Sequence, residues 1–545
     1  MNARGDEARF VSYFDYERYP AALPALIDGV DPVTHPVVIV GGGPIGLTLA
    51  LALARQGVAA LVLEADDTVC QGSRAGCVTR RSLEIYEQLG VAEPIMRQGL
   101  PWSQGWSYHG TTEVFHLQMP VDDEARYPSL VNIQQCYIEK FLVDELARYP
   151  YLVQIRWQSQ AQIIEHSDNG AQLQVTTPAG SYRLNADWLV ACDGARSSVR
   201  KSLSLPFVGT RYEGRYVIVD IKMSSALAPG RRAWFDPPSN PGATLLMHKH
   251  RDDLWRFDYQ LRDDEDADEA VKPENVLQRV QSHLTLIGET APWQPVWISI
   301  YSASCLTLED YRHGRVLLAG DAAHLVPIFG VRGMNSGIDD VYNLAWKLAY
   351  VCRGWADQRL LDSYSDERVH ATRENMRHAS KSAEFMAPPS AAFARMRAAV
   401  LSLAETQSWI RSLVNPRQST AIGFPDSPLN QLADEASFAH GPKPGDNLPD
   451  MRVAGGHLSS LLRPRFTALR FETSASPTAL ASLGFGVELA TVQIRLDSEL
   501  ARRLDARAGT TYLLRPDGHL LGRWRYYEQS VLTAAIDAVL QANWP

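Results

Sequence analysis

From Val37 the chain changes period in a way that announces secondary structure. Val37–Val40 is a short continuous apolar run, Leu47–Arg55 carries apolar residues at helical spacing, and Leu61–Glu64 is apolar and then acidic. Gly57 stands where a helix C-cap would fall. A strand, a helix and a strand at this spacing predict a parallel sheet with a right-handed crossover. Further strands of that sheet are expected at Trp188–Cys192 and Val316–Ala319, each running into a paired glycine and aspartate. Residues 207–308 follow a different rhythm. The runs Tyr216–Lys222, Thr244–His248, Trp255–Leu261 and Val296–Ser302 are short and separated by turn chemistry, which predicts an antiparallel sheet inserted into the parallel one. Asp263–Glu269 is strongly acidic and reads as a solvated loop, because clustered like charge repels. Residues 336–415 read as mostly helical. Pro425, Pro428, Pro442, Pro444 and Pro449 mark a linker. Beyond about 450 a separate small α/β unit is expected, with strands near Phe466–Phe471 and Tyr512–Arg515 and a last helix near Ser530–Gln541. The opening segment carries Pro20, Pro24, Pro32 and Pro36 and reads as an extended leader packed on the surface.

Composition narrows the class. Across 545 residues, 45% hydrophobic and 21% charged positions make an ordinary globular mix and exclude a disordered, collagen-like or disulfide-scaffold chain. Acidic residues outnumber basic ones, 62 against 53, so a nucleic-acid surface is not expected. Cys70, Cys77, Cys136, Cys192, Cys305 and Cys352 show no CxxC spacing, hence no zinc ribbon and no redox dithiol. Their number suits a reducing compartment. The start, MNARGDEARF, has no apolar signal region. The apolar stretch Val37–Ala54 is interrupted by Gly41-Gly42-Gly43-Pro44, so it reads as strand, turn and helix instead of a membrane span. A soluble cytoplasmic protein is expected, with no nucleic-acid or membrane partner and no metal site.

Three segments carry candidate chemistry. Gly41, Gly43 and Gly46 fit G-x-G-x-x-G, with Pro44 and Ile45 between them. The first glycine permits the tight turn, the second lets backbone approach a pyrophosphate, and the third lets helix and sheet pack closely. The N–H groups of the following helix face the anion. Glu64, followed by Ala65, ends the second strand where a carboxylate accepts ribose hydroxyls. This motif does not separate FAD from NAD. In the second segment Asp193-Gly194 turns after a strand, and both a plain turn and a cofactor contact stay open. In the third, Gly320 and Asp321 end a strand, and the aspartate is placed to accept hydrogen bonds from a polyol chain. The loop Pro327–Gly333 then feeds a helix near Met334–Leu348, whose N–H groups can stabilise a developing anion.

In this order, GGGPIG, CDGARSSVR and GDAAHLVPIFGVRGMNSG resemble the class A FAD-dependent aromatic hydroxylases, flavoprotein monooxygenases of the phenol hydroxylase and 3-(3-hydroxyphenyl)propionate hydroxylase type. The resemblance runs from 37 to 545. It implies an α/β fold: a Rossmann-like FAD-binding domain with an inserted antiparallel β-sheet substrate domain and a C-terminal thioredoxin-like domain. The expected divisions are an extension at 1–36, FAD-binding parts at 37–206 and 309–425 (the second with a helical segment), a substrate sheet at 207–308, and linker plus thioredoxin-like unit at 426–545. The phrase YLLRPDGHLLGRW belongs to that last unit, which has no cysteine and so cannot do dithiol chemistry.

The resemblance also implies site roles. Gly41, Gly43, Pro44, Ile45, Gly46, Glu64 and Ala65 would form the ADP-binding turn. Arg74 would lie near flavin and pyrophosphate, and Gln135 would touch the cofactor. Asp193 would serve FAD and NAD(P)H. Gly320 and Asp321 would hold the ribityl chain, and Gly333, Met334 and Asn335 would complete the cofactor set. Arg332, Pro327, His248 and Tyr301 are the candidates beside the reacting atoms. Tyr216, Trp234, His248, Trp255, Tyr259 and Tyr301 are offered as a substrate roof, and strand alternation puts Trp297, Ser299 and Tyr301 on one face. His324 reads as support for the Asp321 loop. The implied activity is FAD- and NAD(P)H-dependent hydroxylation of a small phenolic or catecholic compound through a flavin C4a-hydroperoxide, with O2 as co-substrate, in aromatic degradation. A homodimer stays open. So do release of a nitro or halide group, and a related flavin epoxidase or antibiotic-modifying monooxygenase. Two departures stand out: relatives often have GGQG where this chain has Gly330-Val331-Arg332-Gly333, and an arginine where it has Leu306.

Overall fold

The computed structural model describes residues 10–542 except 73, 328–329, 415–420, 455, 475–477 and 485. The expected strand–helix–strand unit forms with longer members. Its first strand spans Val30–Val40, its helix Pro44–Arg55 and its second strand Ala60–Leu63. The strand starts seven residues before the apolar run does, because the long neighbour Gly180–Ala191 offers ladder partners as far back as Val30. Pro44 opens the helix, where its missing N–H and fixed φ are harmless. Every helix residue except Arg55 is buried, which explains the nearly continuous apolar sequence. The parallel core runs Val316–Leu318, Gly180–Ala191, Val30–Val40, Ala60–Leu63, Val153–Arg156. All its strand ends therefore open on one side.

The antiparallel sheet is present and wider than the 207–308 segment. In order it contains His324–Leu325, Trp293–Thr307, Val208–Met223, Leu254–Gln260, Thr244–Lys249, Arg231–Phe235, Gln104–His109 and Thr112–Gln118. The hairpin Gln104–Gln118 joins through Arg231–Phe235 in parallel, a long-range pairing that leaves no local mark. An unpredicted helix, Pro273–Leu286, lays Val276, Val280 and Leu284 on one face of this sheet. The acidic stretch is mostly exposed, but Asp266 accepts N–H bonds from Asp268 and Glu269 and starts a single helical turn, Ala267–Ala270.

Helices Gly333–Cys352, Asp362–Met386 and Ala391–Thr406 follow. The C-terminal unit is a mixed five-stranded sheet with Gln529–Leu540 as its last helix. It shares a core with the rest: Phe466, Leu513 and Leu521 pack in one cluster with Trp346 and Tyr350. A buried ion pair adds to this contact: Arg515 lies 2.6 Å from Glu367, which is also 2.8 Å from Lys347. All six cysteines are free. Among the described residues no helix is long and apolar enough to cross a membrane, and no group of three metal-binding side chains occurs.

Candidate functional site

The three motif segments meet at the open ends of the parallel strands. Gly41 has φ +105°, and a Cβ there would lie 2.4 Å from the Cys192 carbonyl oxygen, so the first turn is pressed against the second segment. A Cβ on Gly46 would lie 2.0 Å from the Gly41 carbonyl oxygen. Gly43 differs. It caps the Pro44–Arg55 helix, and a Cβ there would meet nothing within 4 Å. Nothing inside the chain requires glycine at this point, whereas close approach of a pyrophosphate does. Glu64 accepts the Gly42 N–H, and the Asp66 N–H at 2.8 Å; burial raises its carboxyl. Ala65 beside it is exposed.

Ile45 is a packing residue more than a contact surface. A Cβ on Gly337 would lie 2.6 Å from its Cδ1, and one on Gly320 3.0 Å from its Cγ1. The first helix, the Asp321 turn and the Gly333–Cys352 helix therefore close around it. Asp321 itself is exposed, with no hydrogen bond or ion pair to a described residue. Protein crowds it nonetheless, and this partial desolvation raises its carboxyl. A carboxylate that is open to solvent yet surrounded by protein marks the floor of a cleft. Behind it, Asp340 accepts the Gly320 N–H at 3.0 Å and lies 2.6 Å from His324 Nε2 and 2.7 Å from Arg368 Nε. Burial opposes the Asp340 charge, but His324 and Arg368 pull its carboxyl down to about 2. His324 thus supports the loop, as read from sequence, and Asp340 and Arg368 are partners that reading missed.

Asp193 caps the turn that follows its strand. Its Oδ2 accepts from the Ser198 N–H (2.7 Å), the Ser198 hydroxyl (3.0 Å) and the Val199 N–H (3.2 Å), while its Oδ1 is buried without a partner among the described residues. Gln135 accepts the Ala75 N–H at 3.2 Å and donates to Glu139 at 2.8 Å. Burial pushes the Glu139 carboxyl up to about 7. Arg74 is exposed, and its carbonyl accepts from Arg256. The 74–76 loop is thereby pinned between the Gln135–Leu146 helix and the antiparallel sheet.

The 327–335 segment departs from expectation at the side-chain level. Pro327 is buried. Arg332 is 3% exposed and donates to Asn375 at 3.0 Å, so it neither faces solvent nor stands free in the cleft; burial lowers its guanidinium to about 10. The Asn335 side chain is fully used inside the protein. Its oxygen accepts from the Thr79 N–H (2.9 Å) and the Ser82 hydroxyl (2.7 Å), and its nitrogen donates to the Cys77 and Val331 carbonyls. What Gly333, Met334 and Asn335 leave for an anion is main-chain N–H at a helix start. Val331 has φ +63°, left-handed for a β-branched residue.

The substrate-sheet candidates divide by face. Pairing places Trp297 opposite Asp220, Ser299 opposite Ile218 and Tyr301 opposite Tyr216, so the expected face forms. Burial and the Asp321 charge raise the Tyr301 hydroxyl. His248 is half-buried on the same side; burial, Arg231 and Arg256 hold its imidazole neutral. Trp234, Trp255 and Tyr259 do not join them. They lie on the opposite face in the core under the Pro273–Leu286 helix, because alternation fixes which residues share a face but not what covers it. Asp220, Arg231, Arg256 and Asp258 are cleft-face residues that the sequence reading missed. The available signal was charge at alternate positions in otherwise apolar strands.

A model of the FAD binding domain family matches residues 34–379. A 3-(3-hydroxy-phenyl)propionate/3-hydroxycinnamic acid hydroxylase of Mycolicibacterium smegmatis is 30% identical over 332 residues, which are 61% of this chain and 58% of that protein. The alignment thus spans little more than half of that relative's length. A protein of the same name from Klebsiella pneumoniae (strain 342) is 28% identical over 406 residues, 74% of this chain and 70% of that protein. Among solved structures, the flavin-dependent monooxygenase PieE in complex with FAD and substrate superposes with a TM-score of 0.76 at 24% identity, covering 93% of this chain and 99% of that one. Aklavinone-11 hydroxylase with FAD and aklavinone gives 0.74 at 22% identity, covering 94% and 100%. These two likenesses establish the fold over nearly the whole length. With the family match spanning the three motif segments, and those segments meeting in one cleft, the chain belongs to the FAD binding domain family.

Proposed function

We propose that the protein is a single-component monooxygenase that uses FAD, NAD(P)H and O2 to hydroxylate a small phenolic or catecholic compound in aromatic degradation. The observation that carries this reading is Asp321, an unpartnered carboxylate at the floor of the cleft, backed by the buried Asp340–His324–Arg368 cluster. When bound, FAD supplies the redox chemistry: it takes hydride from NAD(P)H and activates O2. The chain supplies position. The turn Gly41–Gly46 and its helix start receive the pyrophosphate, Glu64 the ribose and Asp321 the ribityl chain. Asp193 keeps one oxygen, Oδ1, without a partner among the described residues, and Arg74 and Gln135 hold the neighbouring loop. The antiparallel sheet covers the reacting ring and keeps water out. The C-terminal unit is proposed as thioredoxin-like, serving as a packing element through its shared core and buried ion pair.

The test is direct. Purified protein should carry flavin, or take it up on soaking, and a phenol panel should accelerate NAD(P)H oxidation with a hydroxylated product identified by mass. No flavin uptake, or uptake with no acceleration and no product across the panel, would reject the reading.

A further inference from the structure

The leader at residues 11–19 precedes the span 34–379 that the family model matches, and it ties the two sheets of the cleft together. At one end the Val11 N–H donates to the Pro295 carbonyl of the antiparallel sheet at 3.0 Å. At the other the Tyr19 N–H donates to the Asp67 carbonyl at 2.7 Å, the Tyr19 carbonyl accepts from Gln158 at 2.9 Å, and the Tyr19 ring stacks on Trp157 at 4.4 Å. Between these anchors Phe14 packs edge-on against Tyr16 (4.8 Å) and Tyr137 (4.9 Å), and the Tyr137 hydroxyl donates to the Tyr13 carbonyl at 3.2 Å. Tyr13 turns inward: burial, Cys136 and Tyr16 raise its hydroxyl, and Asp220 on the cleft face adds to this. Ordering irregular chain costs about 1–2 kcal/mol per residue, so directed contacts of this number mark a fixed element, not a tail.

The leader presses on the chain that leads to Arg74. Arg18 pairs with Asp67, and Val69 and Cys70 share one apolar cluster with Tyr13, Phe14, Tyr16 and Tyr19. The Tyr16 hydroxyl faces the Gly72 main chain. On its other side Gly72, at φ +77°, lies so close to the antiparallel sheet that a Cβ would be 2.2 Å from Trp297 Cε2. Gly72 is therefore held between leader and sheet. Two residues on, the Arg74 carbonyl accepts from Arg256 and the Ala75 N–H donates to Gln135. The main chain is tied down while the Arg74 side chain stays exposed. Burial raises the Asp321 carboxyl, and the charges of His324 and Arg74 act against it, so the Arg74 guanidinium faces the cleft.

Resting on the hydroxylase reading, we infer that residues 11–19 form a positioning strap. Phe14 and Tyr16 hold Gly72 against Trp297, which keeps the Arg74 guanidinium directed at the bound cofactor, and Tyr13 closes the cleft beside Asp220. The strap touches no reacting atom and acts through Arg74. A cation fixed before its anion arrives does not have to be ordered on binding.

The experiment titrates FAD into the flavin-free full-length protein, followed by flavin fluorescence, and counts product formed per NAD(P)H oxidised. Phe14→Ala with Tyr16→Ala should weaken FAD binding about tenfold and lower the product yield, whereas Phe14→Leu with Tyr16→Phe should stay within about twofold of wild type. Repeated in an Arg74→Ala background, the double alanine change should alter FAD affinity by less than about twofold, because the residue it acts through is gone. Unchanged FAD affinity in the folded double-alanine variant overturns the inference. So does a tenfold loss that persists undiminished beside Arg74→Ala. If the double variant does not fold, Phe14→Ala alone carries the same cycle, with an expected loss of about threefold. If no phenol is turned over, the hydroxylase reading falls, while the FAD titrations in the two backgrounds still decide the strap.

Discussion

The two faces of the antiparallel sheet are built from the same strands and do opposite things. Under the Pro273–Leu286 helix, Val217, Val219, Leu245, Met247, Phe257 and Tyr259 form a closed apolar layer. One residue along each strand, the other face carries Asp220, Asp258, Arg256, His248 and Arg231. The first face contributes stability by removing apolar surface from water. The second spends part of that stability on desolvated charge, because a cleft must offer directional groups to a ligand. A two-residue period lets one ladder serve both needs, since stability and recognition are assigned to alternate side chains.

The sharpest way to break this division is on the apolar side. Phe257→Ala should destabilise the protein by roughly 3–5 kcal/mol through a cavity in the closed layer. Thermal unfolding checks it, and folded variant at low temperature should keep its flavin. A loss of flavin without a loss of stability would show that the faces are not separate.

Next comes pH. His283 projects from the covering helix, fully buried, and burial lowers its imidazole to about 3. The unfolded chain binds this proton near pH 6.5 and the folded chain does not, so stability falls as pH drops from about 6.5 toward 3. The loss should reach roughly 2–4 kcal/mol at the acid end. His283→Gln should flatten stability in that window. The Asp340 contribution has the usual carboxylate sign: it is present above about pH 4 and is lost as pH falls toward 2. The two windows overlap below about pH 4, so denaturant titrations above that pH read the His283 contribution without that of Asp340.

On the cleft side the expected effects are on binding. On the proposed ribityl assignment, Asp321→Ala removes a charge-assisted hydrogen bond worth roughly 1.5–3 kcal/mol. FAD affinity should fall by about tenfold to a hundredfold or more, with little change in the melting temperature of the flavin-free protein. Unchanged affinity would refute the ribityl assignment. The smallest effect is expected at Val331. Glycine there relieves about 1–2 kcal/mol of left-handed strain but forfeits the packing of Val331 on the Cys77, Trp102 and Leu130 cluster. Val331→Gly should therefore change stability by less than about 1 kcal/mol. A large loss in chemical denaturation would mean that packing, not strain, governs this loop.

The parallel unit and its glycine turn were legible because their causes are local. Gly41 must adopt positive φ, Gly46 must tolerate a backbone 2 Å from where a Cβ would be, and a buried helix must be apolar throughout. Local necessity of that kind is written in residue types at fixed spacing. Asp321 was legible for the same reason, as the residue ending a buried strand at a turn.

Other features depended on residues far away in the chain. The strand at Val30 exists because Gly180–Ala191 is long enough to pair with it, and the hairpin Gln104–Gln118 joins the sheet because Arg231–Phe235 accepts it. Arg332 turned inward because Asn375, on another helix, accepts its hydrogen bond. Trp234, Trp255 and Tyr259 went to the core because a helix covers their face. Sequence alone determined the parallel α/β plan, the dinucleotide turn and the carboxylates at the strand ends, all consequences of backbone sterics and short-range periodicity. Only the tertiary structure decided which face of the antiparallel sheet is closed and which lines the cleft, and which buried charges are paired. Burial and pairing depend on the elements packed above a residue, not on its neighbours along the chain.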